Sequence, residues 1–258
     1  MRIAHISDTH IEAANPDKRA RIDDLARTVD AINAQSVLPD VVLHSGDIAH
    51  DATAEDYAAA RAELDRLKAP LFTTIGNRDR RDSYFTAFAA DGYLDPASGF
   101  AQYAVDLGAL YLVAVDTQDD ASALGGFCEA RARHLGALLD AANGKPTLVF
   151  AHHPPLDLPD MKPPSLQYRD VDDAARLVAC LMSCASLVGV VTGHVHRARA
   201  VPLGRVTLST VPCIAADLSR ERAGEVYLRR PIYHVHSIEN GRMTTGTVEL
   251  PAASRAAA

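Results

Sequence analysis

The sequence predicts an α/β fold in which two mixed β-sheets pack face to face with helices outside. Three observations carry that expectation. Short apolar runs alternate with amphipathic helical stretches over the first 75 residues. A second alternation of the same kind follows a hairpin near residue 108, and only β-like segments come after Thr192. The two halves resemble each other in kind, which suits a two-sheet sandwich better than one open sheet. A chain of 258 residues, 48% of them hydrophobic, can bury a core of that size.

Taken in order, RIAHIS (2–7) reads as a buried strand. Residues 18–35 place Ile22, Leu25, Val29 and Ile32 on one helical face. DVVLHS (40–45) is the next strand. Thr53 suits the N-cap of a helix with Tyr57, Ala60, Leu64 and Leu67 along one stripe. LFTTI (71–75) is a third strand. Nearly unbroken apolar strands separated by helices call for a parallel sheet covered on both faces. FAQYAVDL (100–107) and LYLVAVD (110–116) form an antiparallel hairpin. A helix over 127–142, a strand at 146–151, a helix over 171–185 and a strand at 187–192 follow. In the second of those helices Val171, Ala174, Leu177, Val178 and Leu181 share one side. ARAVPL, VTLSTV, IYHVHSI and MTTGTVEL are β segments, with ENGR (239–242) as the turn between the last two. Residues 1–250 read as one domain and 251–258 as a frayed tail.

The formal net charge of −7 argues against indiscriminate binding to a nucleic acid polymer. No apolar run is long enough to span a membrane, and MRIAHISDTH carries no apolar leader, so a cytoplasmic protein is expected. Cys128, Cys180, Cys184 and Cys213 form no Cys-x-x-Cys pair, and Cys180 and Cys184 read as small buried hydrophobes.

Metal-capable side chains sit where five strands end. Asp8 and His10 follow the first strand, Asp47 the second and Asn77 the third. His152 and His153 follow the strand at 146–151, and His194 and His196 the strand at 187–192. Carboxyl ends of strands converge on the ligand crevice of α/β sheets. Each piece alone has an ordinary reading: Gly46-Asp47 and Gly76-Asn77 are common turns. Their order and placement together point to metal. Oxygen and nitrogen ligands without a thiol suit Mn, Fe or Zn. Seven or eight ligands exceed one ion's capacity and suit two divalent ions, about 3.5–4 Å apart, sharing one carboxylate. The glycines of SGD, IGN and TGH are expected to permit tight turns and positive φ just before each ligand.

The ordered series Asp-x-His, Gly-Asp, Gly-Asn, His-x-Pro and Gly-His-x-His resembles the calcineurin-like metallophosphoesterase superfamily over roughly residues 3–200. HISDTH and AHHPP look most like bacterial class III cyclic-nucleotide phosphodiesterases and related glycerophosphodiesterases. The resemblance implies a four-layer α/β/β/α sandwich. It implies that Asp8, His10 and His196 hold one metal, that Asn77, His152 and His194 hold the other, and that Asp47 bridges them. His152 rather than His153 follows from the His-x-Pro spacing, which leaves His153 beside a ligand or the substrate.

Many relatives have a histidine where this chain has Arg78. Arginine stays protonated and cannot serve as an ordinary general acid, but it can fork two hydrogen bonds to a phosphate. Arg78 is therefore expected to clamp the substrate, with leaving-group protonation passing to His153, to water, or to no group; a surface pair with Asp79 or Asp82 is the ordinary alternative. The expected activity is that of a dinuclear phosphodiesterase. It would hydrolyse a small phosphodiester, a cyclic nucleotide or glycerophosphodiester, by attack of a metal-activated hydroxide. A phosphomonoesterase and a non-catalytic metal-binding scaffold are the alternatives. Tyr168 and Arg169 of the Pro-rich loop 154–170, and the segment near 213–233, are candidate pocket walls. Asp79 is expected to bond a ligand histidine or a turn amide. His5 and His44 read as hydrogen-bonded core residues, and His234 and His236 as ordinary β residues. The C-terminal β segments offer strand edges for a homo-oligomer.

Overall fold

The computed structural model describes residues 1–158, 165–220, 222–223, 226–227 and 230–251. Its first half runs β1 (Arg2–Ile6), α1 (Arg19–Asn33), β2 (Val41–His44), α2 (Ala54–Leu64), β3 (Leu71–Thr73), α3 (Arg81–Phe88), β4 (Tyr103–Asp106) and β5 (Tyr111–Val115). There follow α4 (Glu129–Ala141), β6 (Thr147–Ala151), α5 (Val171–Ser183), β7 (Leu187–Thr192), β8 (Arg199–Leu203) and β9 (Val206–Thr210). The chain closes with β10 (Arg222–Ala223), β11 (Val226–Tyr227), β12 (Ile232–Glu239) and β13 (Arg242–Glu249).

One sheet has the order β13-β12-β1-β2-β3 and the other β4-β5-β6-β7-β9-β8; β10 and β11 pair by themselves. β1, β2 and β3 run parallel, as do β5, β6, β7 and β9, while β12, β13, β4 and β8 join antiparallel. Ile3, Leu43, Phe72, Leu112, Phe150 and Val191 fill the space between the sheets. Leu25, Val29 and Ile32 of α1, Tyr57 and Ala60 of α2, and Tyr84 and Phe88 of α3 cover the outside of the first sheet. Leu135 and Leu139 of α4, with Leu177 and Leu181 of α5, cover the second. The architecture is the four-layer α/β/β/α sandwich. Each such fully buried side chain contributes about 1.5–3 kcal/mol.

Local chemistry accounts for the element ends. Thr53 caps α2, accepting from the Asp56 backbone N–H, and the Thr53 N–H donates in turn to the Asp56 carboxylate. Asn240 and Gly241 both take positive φ, 50° and 71°, in the tight turn between β12 and β13.

Several details depart from the sequence expectations. The third strand stops at Thr73 rather than residue 75, with Thr74 N–H making the last bond to β2, at His44 O (3.0 Å). α3 was not anticipated, since it is short and begins with charged residues. Val171 is 65% exposed as the first residue of α5, outside the buried stripe. Leu67 packs on the core from beyond the end of α2. The middle of the Pro-rich loop, part of the segment 213–233 and the tail after Pro251 lie outside the described residues.

Candidate metal centre

The carboxyl ends of β1, β2, β3, β6 and β7 meet at one rim of the sandwich, and all seven predicted ligands come together there. Asp8, His10 and His196 bring their donor atoms within 4.8 Å of one another, as do Asp8, Asp47 and His152, and as do His152, His153 and His194. His10 Nε2 lies 3.5 Å from Asp47 Oδ2 and 3.7 Å from Asp8 Oδ1, and His196 Nε2 lies 3.3 Å from Asp8 Oδ1. On the other side, His152 Nε2 lies 3.5 Å from Asp47 Oδ1 and 3.1 Å from Asn77 Oδ1. The two oxygens of Asp47 thus face different clusters.

The loops reach this geometry through unusual backbone. Asp8, His10, Asp47, His194 and His196 have φ between 45° and 68°, the left-handed region. Such conformations cost of order 1–3 kcal/mol each in non-glycine residues, and they cluster at functional sites. Of the three motif glycines Gly46 has positive φ, at 97°, and the positive φ expected at the other two is not found. Gly76 and Gly193 serve close approach instead. A Cβ on Gly76 would overlap the backbone nitrogen of Asp47, and one on Gly193 would overlap Ser7 Oγ and lie 2.6 Å from Asp8 Oδ2. The loops are stitched together by Asp8 N–H to Gly46 O (3.0 Å), His10 N–H to Asp47 O (2.9 Å) and His194 N–H to Asp8 Oδ2 (3.0 Å).

Buried Asp79 accepts from the backbone N–H groups of Gly76 (2.9 Å), Ala49 (3.1 Å) and Ile48 (3.3 Å) and from the Tyr57 hydroxyl (2.8 Å). It ties the Asp47 loop to the Asn77 loop, resolving its expected role in favour of turn amides.

The ligand imidazoles are oriented through their far nitrogens. His152 Nδ1–H donates to Ser45 O (2.7 Å) and His196 Nδ1–H to Leu218 O (3.0 Å). His194 Nε2–H donates to Gln167 Oε1 (3.0 Å). With the far proton placed there, the other nitrogen of each ring is free to turn a lone pair to a cation at the centre once its own proton is displaced. Gln167 and Ser45 were not singled out from sequence. Gln167 belongs to the Pro-rich loop, whose length was the only available signal.

The donor set fits divalent cations. Asp8 Oδ1 is buried without a hydrogen-bond donor, and His10 Nε2 and His196 Nε2 stand 3.3 Å apart. Carboxylates and imidazoles crowded on one centre suit a cation there, and without one, protons held on the histidines take its place. The titration behaviour agrees. Burial opposes ionisation of Asp8, yet His196, His10 and His152 hold its carboxyl well below the usual range. Asp47 is held low against the same burial penalty by His152 and His10. Burial disfavours charge on His152, but Asp47 and Asp8 push it up to about 9. Burial, with His152 adding repulsion, takes His194 down to about 3.

The two residues expected in catalytic roles stand differently. Arg78 is exposed; its backbone N–H donates to Asp47 Oδ1 (2.7 Å), and its side chain lines a cleft of about 920 Å3 shared with His50, Asn77, Phe100 and Gln118. Among the described residues no carboxylate pairs with Arg78, so the surface pair with Asp79 or Asp82 is not made. His153 is fully buried, with Nδ1 2.8 Å from Thr117 Oγ1 and Nε2 3.2 Å from Ala123 O. Both its nitrogens are engaged, and its ring packs 4.4 Å from that of His194. Tyr168 is buried beneath the site, and Arg169 pairs with Asp119 at the cleft wall (3.1 Å). His5 bonds Ser45 Oγ and His236, and His44 bonds Thr9, as core residues.

Residues 1–198 match the family model described as calcineurin-like phosphoesterase. The chain belongs to the calcineurin-like phosphoesterase family. It is therefore a phosphoric ester hydrolase. It is 32% identical over 218 residues to the glycerophosphodiester phosphodiesterase GpdQ of Enterobacter lignolyticus, covering 82% of this chain and 77% of that protein. It is 24% identical over 201 residues to the 3',5'-cyclic adenosine monophosphate phosphodiesterase CpdA of Vibrio vulnificus, covering 76% and 70%. The fold matches a dimetal phosphatase of Danio rerio with a TM-score of 0.73 at 17% identity, over 96% of this chain and 95% of that one. No helix among the described residues is long and apolar enough to cross a membrane.

Proposed function

We propose that this phosphoesterase is a dinuclear phosphodiesterase for small phosphodiesters, a glycerophosphodiester or a cyclic nucleotide, acting in the cytoplasm. The observation that carries the reading is the split of Asp47, one oxygen toward His10 and the other toward His152. Asp8, His10 and His196 would hold one cation and Asn77, His152 and His194 the other, with Asp47 between them. Mn, Fe or Zn fits this oxygen and nitrogen set. When bound, a pair of divalent cations supplies Lewis acidity to a phosphoryl group and lowers the pKa of water at neutral pH.

The remaining steps belong to the chain. The far-side bonds of His152, His194 and His196 keep their rings aimed at the centre. Arg78 forks to the non-bridging oxygens and offsets charge that grows in the transition state. His153 engages Thr117 and Ala123 O through its ring, so we assign it support of His194 and leave protonation of the leaving group to water. A cleft of about 920 Å3 suits a small substrate. The names of the GpdQ and CpdA relatives support a diester.

The test is hydrolysis by Mn-reconstituted protein of bis-p-nitrophenyl phosphate against p-nitrophenyl phosphate, then glycerophosphoethanolamine and cyclic AMP. Higher kcat/KM on the diester is expected. A preference for the monoester would make the protein a phosphomonoesterase, and two bound metals without turnover of either ester would make it a scaffold.

A further inference from the structure

A neutral imidazole carries one N–H, so a ring that turns one lone pair to a cation must give its proton away from the other nitrogen. His152, His194 and His196 each have an oxygen to receive it: Ser45 O, Gln167 Oε1 and Leu218 O. His10 does not follow this pattern. Its Nε2 faces Asp8, Asp47 and His196, so its Nδ1 carries the proton. Among the described residues the partner of that Nδ1 is another imidazole, His50, whose Nδ1 lies 3.4 Å away. Arg21 Nη1 bonds the His10 carbonyl (3.0 Å), which fixes the main chain but not the ring.

We infer that His50 is the positioning residue of the His10 ligand and also a donor on the substrate side. The inference rests on the dinuclear reading above. His50 is placed for it by two backbone bonds between its loop and that of His10: His50 N–H to Ile11 O (2.8 Å) and Ile11 N–H to Ile48 O (2.9 Å). Accepting from His10 requires Nδ1 of His50 to be bare. The neutral ring then carries its proton on Nε2. His50 is half-buried and lines the cleft beside Asn77 and Arg78, and among the described residues nothing accepts from that Nε2–H. An anionic phosphoryl oxygen entering the cleft is the acceptor it lacks. One ring therefore does two jobs, holding a ligand and, beside Arg78, supplying a neutral N–H donor to the substrate.

Three variants separate the two jobs. Asparagine places an acceptor near the position of Nδ1 but offers nothing at Nε2. Glutamine reaches the Nε2 position but lacks the near acceptor. Leucine has neither. Mn is titrated calorimetrically into the metal-free full chain, and KM for bis-p-nitrophenyl phosphate is measured at saturating Mn. The wild type should take up two equivalents. His50→Leu and His50→Gln should weaken one of the two sites by about 10–100-fold, the usual loss when an outer partner of a metal-binding histidine is removed, and His50→Asn should keep both. His50→Asn should nevertheless raise KM, and His50→Gln should hold KM nearer the wild-type value than His50→Leu does. Unchanged Mn binding in His50→Leu, or equal losses in His50→Asn and His50→Leu, overturns the positioning role. An unchanged KM in His50→Asn overturns the donor role. Uptake of fewer than two equivalents by the wild type would instead remove the dinuclear reading, whatever the variants did.

Discussion

The carboxylate of Asp47, from the loop after β2, faces the imidazole of His152, from the end of β6, with Oδ1 and Nε2 3.5 Å apart. One residue is rooted in each sheet, so the proposed metal centre also joins the two sheets at their rim. Asp47→Asn keeps the shape but removes the charge that both clusters share. Mn stoichiometry should fall below two, and kcat on bis-p-nitrophenyl phosphate should fall by roughly 100-fold or more, on the scale of losing a preorganised electrostatic group. Full metal content with near-normal turnover would refute the bridging role.

The same pair sets a pH dependence in the metal-free protein. His152 is pushed up to about 9 because Asp47 and Asp8 outweigh the cost of burying its charge. Its unfolded value is near 6.5. A folded pKa above the unfolded one gives stability that is complete below 6.5 and is lost as pH rises through 9. The metal-free melting temperature should therefore decline between about pH 6.5 and 9. Mn must displace the same proton, so its affinity should rise over that interval, with proton release visible in buffers of different ionisation enthalpy. A flat melting profile with no proton release would show that His152 is already neutral.

Gly193 and Gly76 give a prediction that ordinary turn propensity does not. Neither has positive φ, so alanine is allowed by the backbone at both, yet a Cβ would collide with Ser7 Oγ and Asp8 at one and with Asp47 at the other. Gly193→Ala and Gly76→Ala should each cost about 1–3 kcal/mol by overpacking and should lower Mn affinity, since the displaced atoms are ligands or their neighbours. Urea denaturation and Mn titration read the two effects. Wild-type behaviour in both would mean that the loops have room to spare.

These glycines also show where the sequence stopped being informative. Five apolar runs ending in Asp, Asn or His were readable because strand periodicity and ligand chemistry lie in the same short stretch. That was enough to place Asp8, His10, Asp47, Asn77, His152, His194 and His196 together. Positive φ falls on Asp8, His10, Asp47, His194 and His196 themselves, and of the preceding glycines on Gly46, which composition cannot reveal. Gln167 reaches His194 only because its loop folds back, alongside a bridge between Gly125 and Tyr168. The bidentate pair of Arg81 with buried Asp116 (2.8 and 2.9 Å) joins the start of α3 to the end of β5, a long-range contact with no local signature. His50 lies just past Asp47 in the sequence, and only the fold sets its ring 5.5 Å from that of His10.

Asp79 separates site architecture from site chemistry. It binds no proposed metal, yet it accepts three backbone N–H bonds and the Tyr57 hydroxyl. Asp79→Ala strands those buried donors and should cost about 2–4 kcal/mol, while Tyr57→Phe removes one bond and should cost about 1 kcal/mol. Mn affinity should fall in Asp79→Ala and stay near wild type in Tyr57→Phe, because the backbone bonds hold the ligand loops. Equal effects from the two changes would assign the stabilisation to the Tyr57 bond alone.

Arg78 allows the proposed chemistry to be divided between charge and geometry. Its guanidinium lines the cleft without a carboxylate partner among the described residues, while its backbone N–H is bonded to Asp47. Replacing the side chain leaves that backbone bond in place, so metal binding should not change. Arg78→Ala should lower kcat/KM by about 10–100-fold, the worth of a charge-assisted bond of roughly 1.5–3 kcal/mol. Arg78→Lys should restore part of this, because an ammonium keeps the charge but not the fork. An arginine offers no ordinary proton to the departing oxygen, so the fractional loss in Arg78→Ala should be similar for aryl diesters and for alkyl diesters with poor leaving groups. A loss confined to poor leaving groups would mean that this position governs proton delivery, and wild-type activity on both would mean that the guanidinium never meets the phosphate.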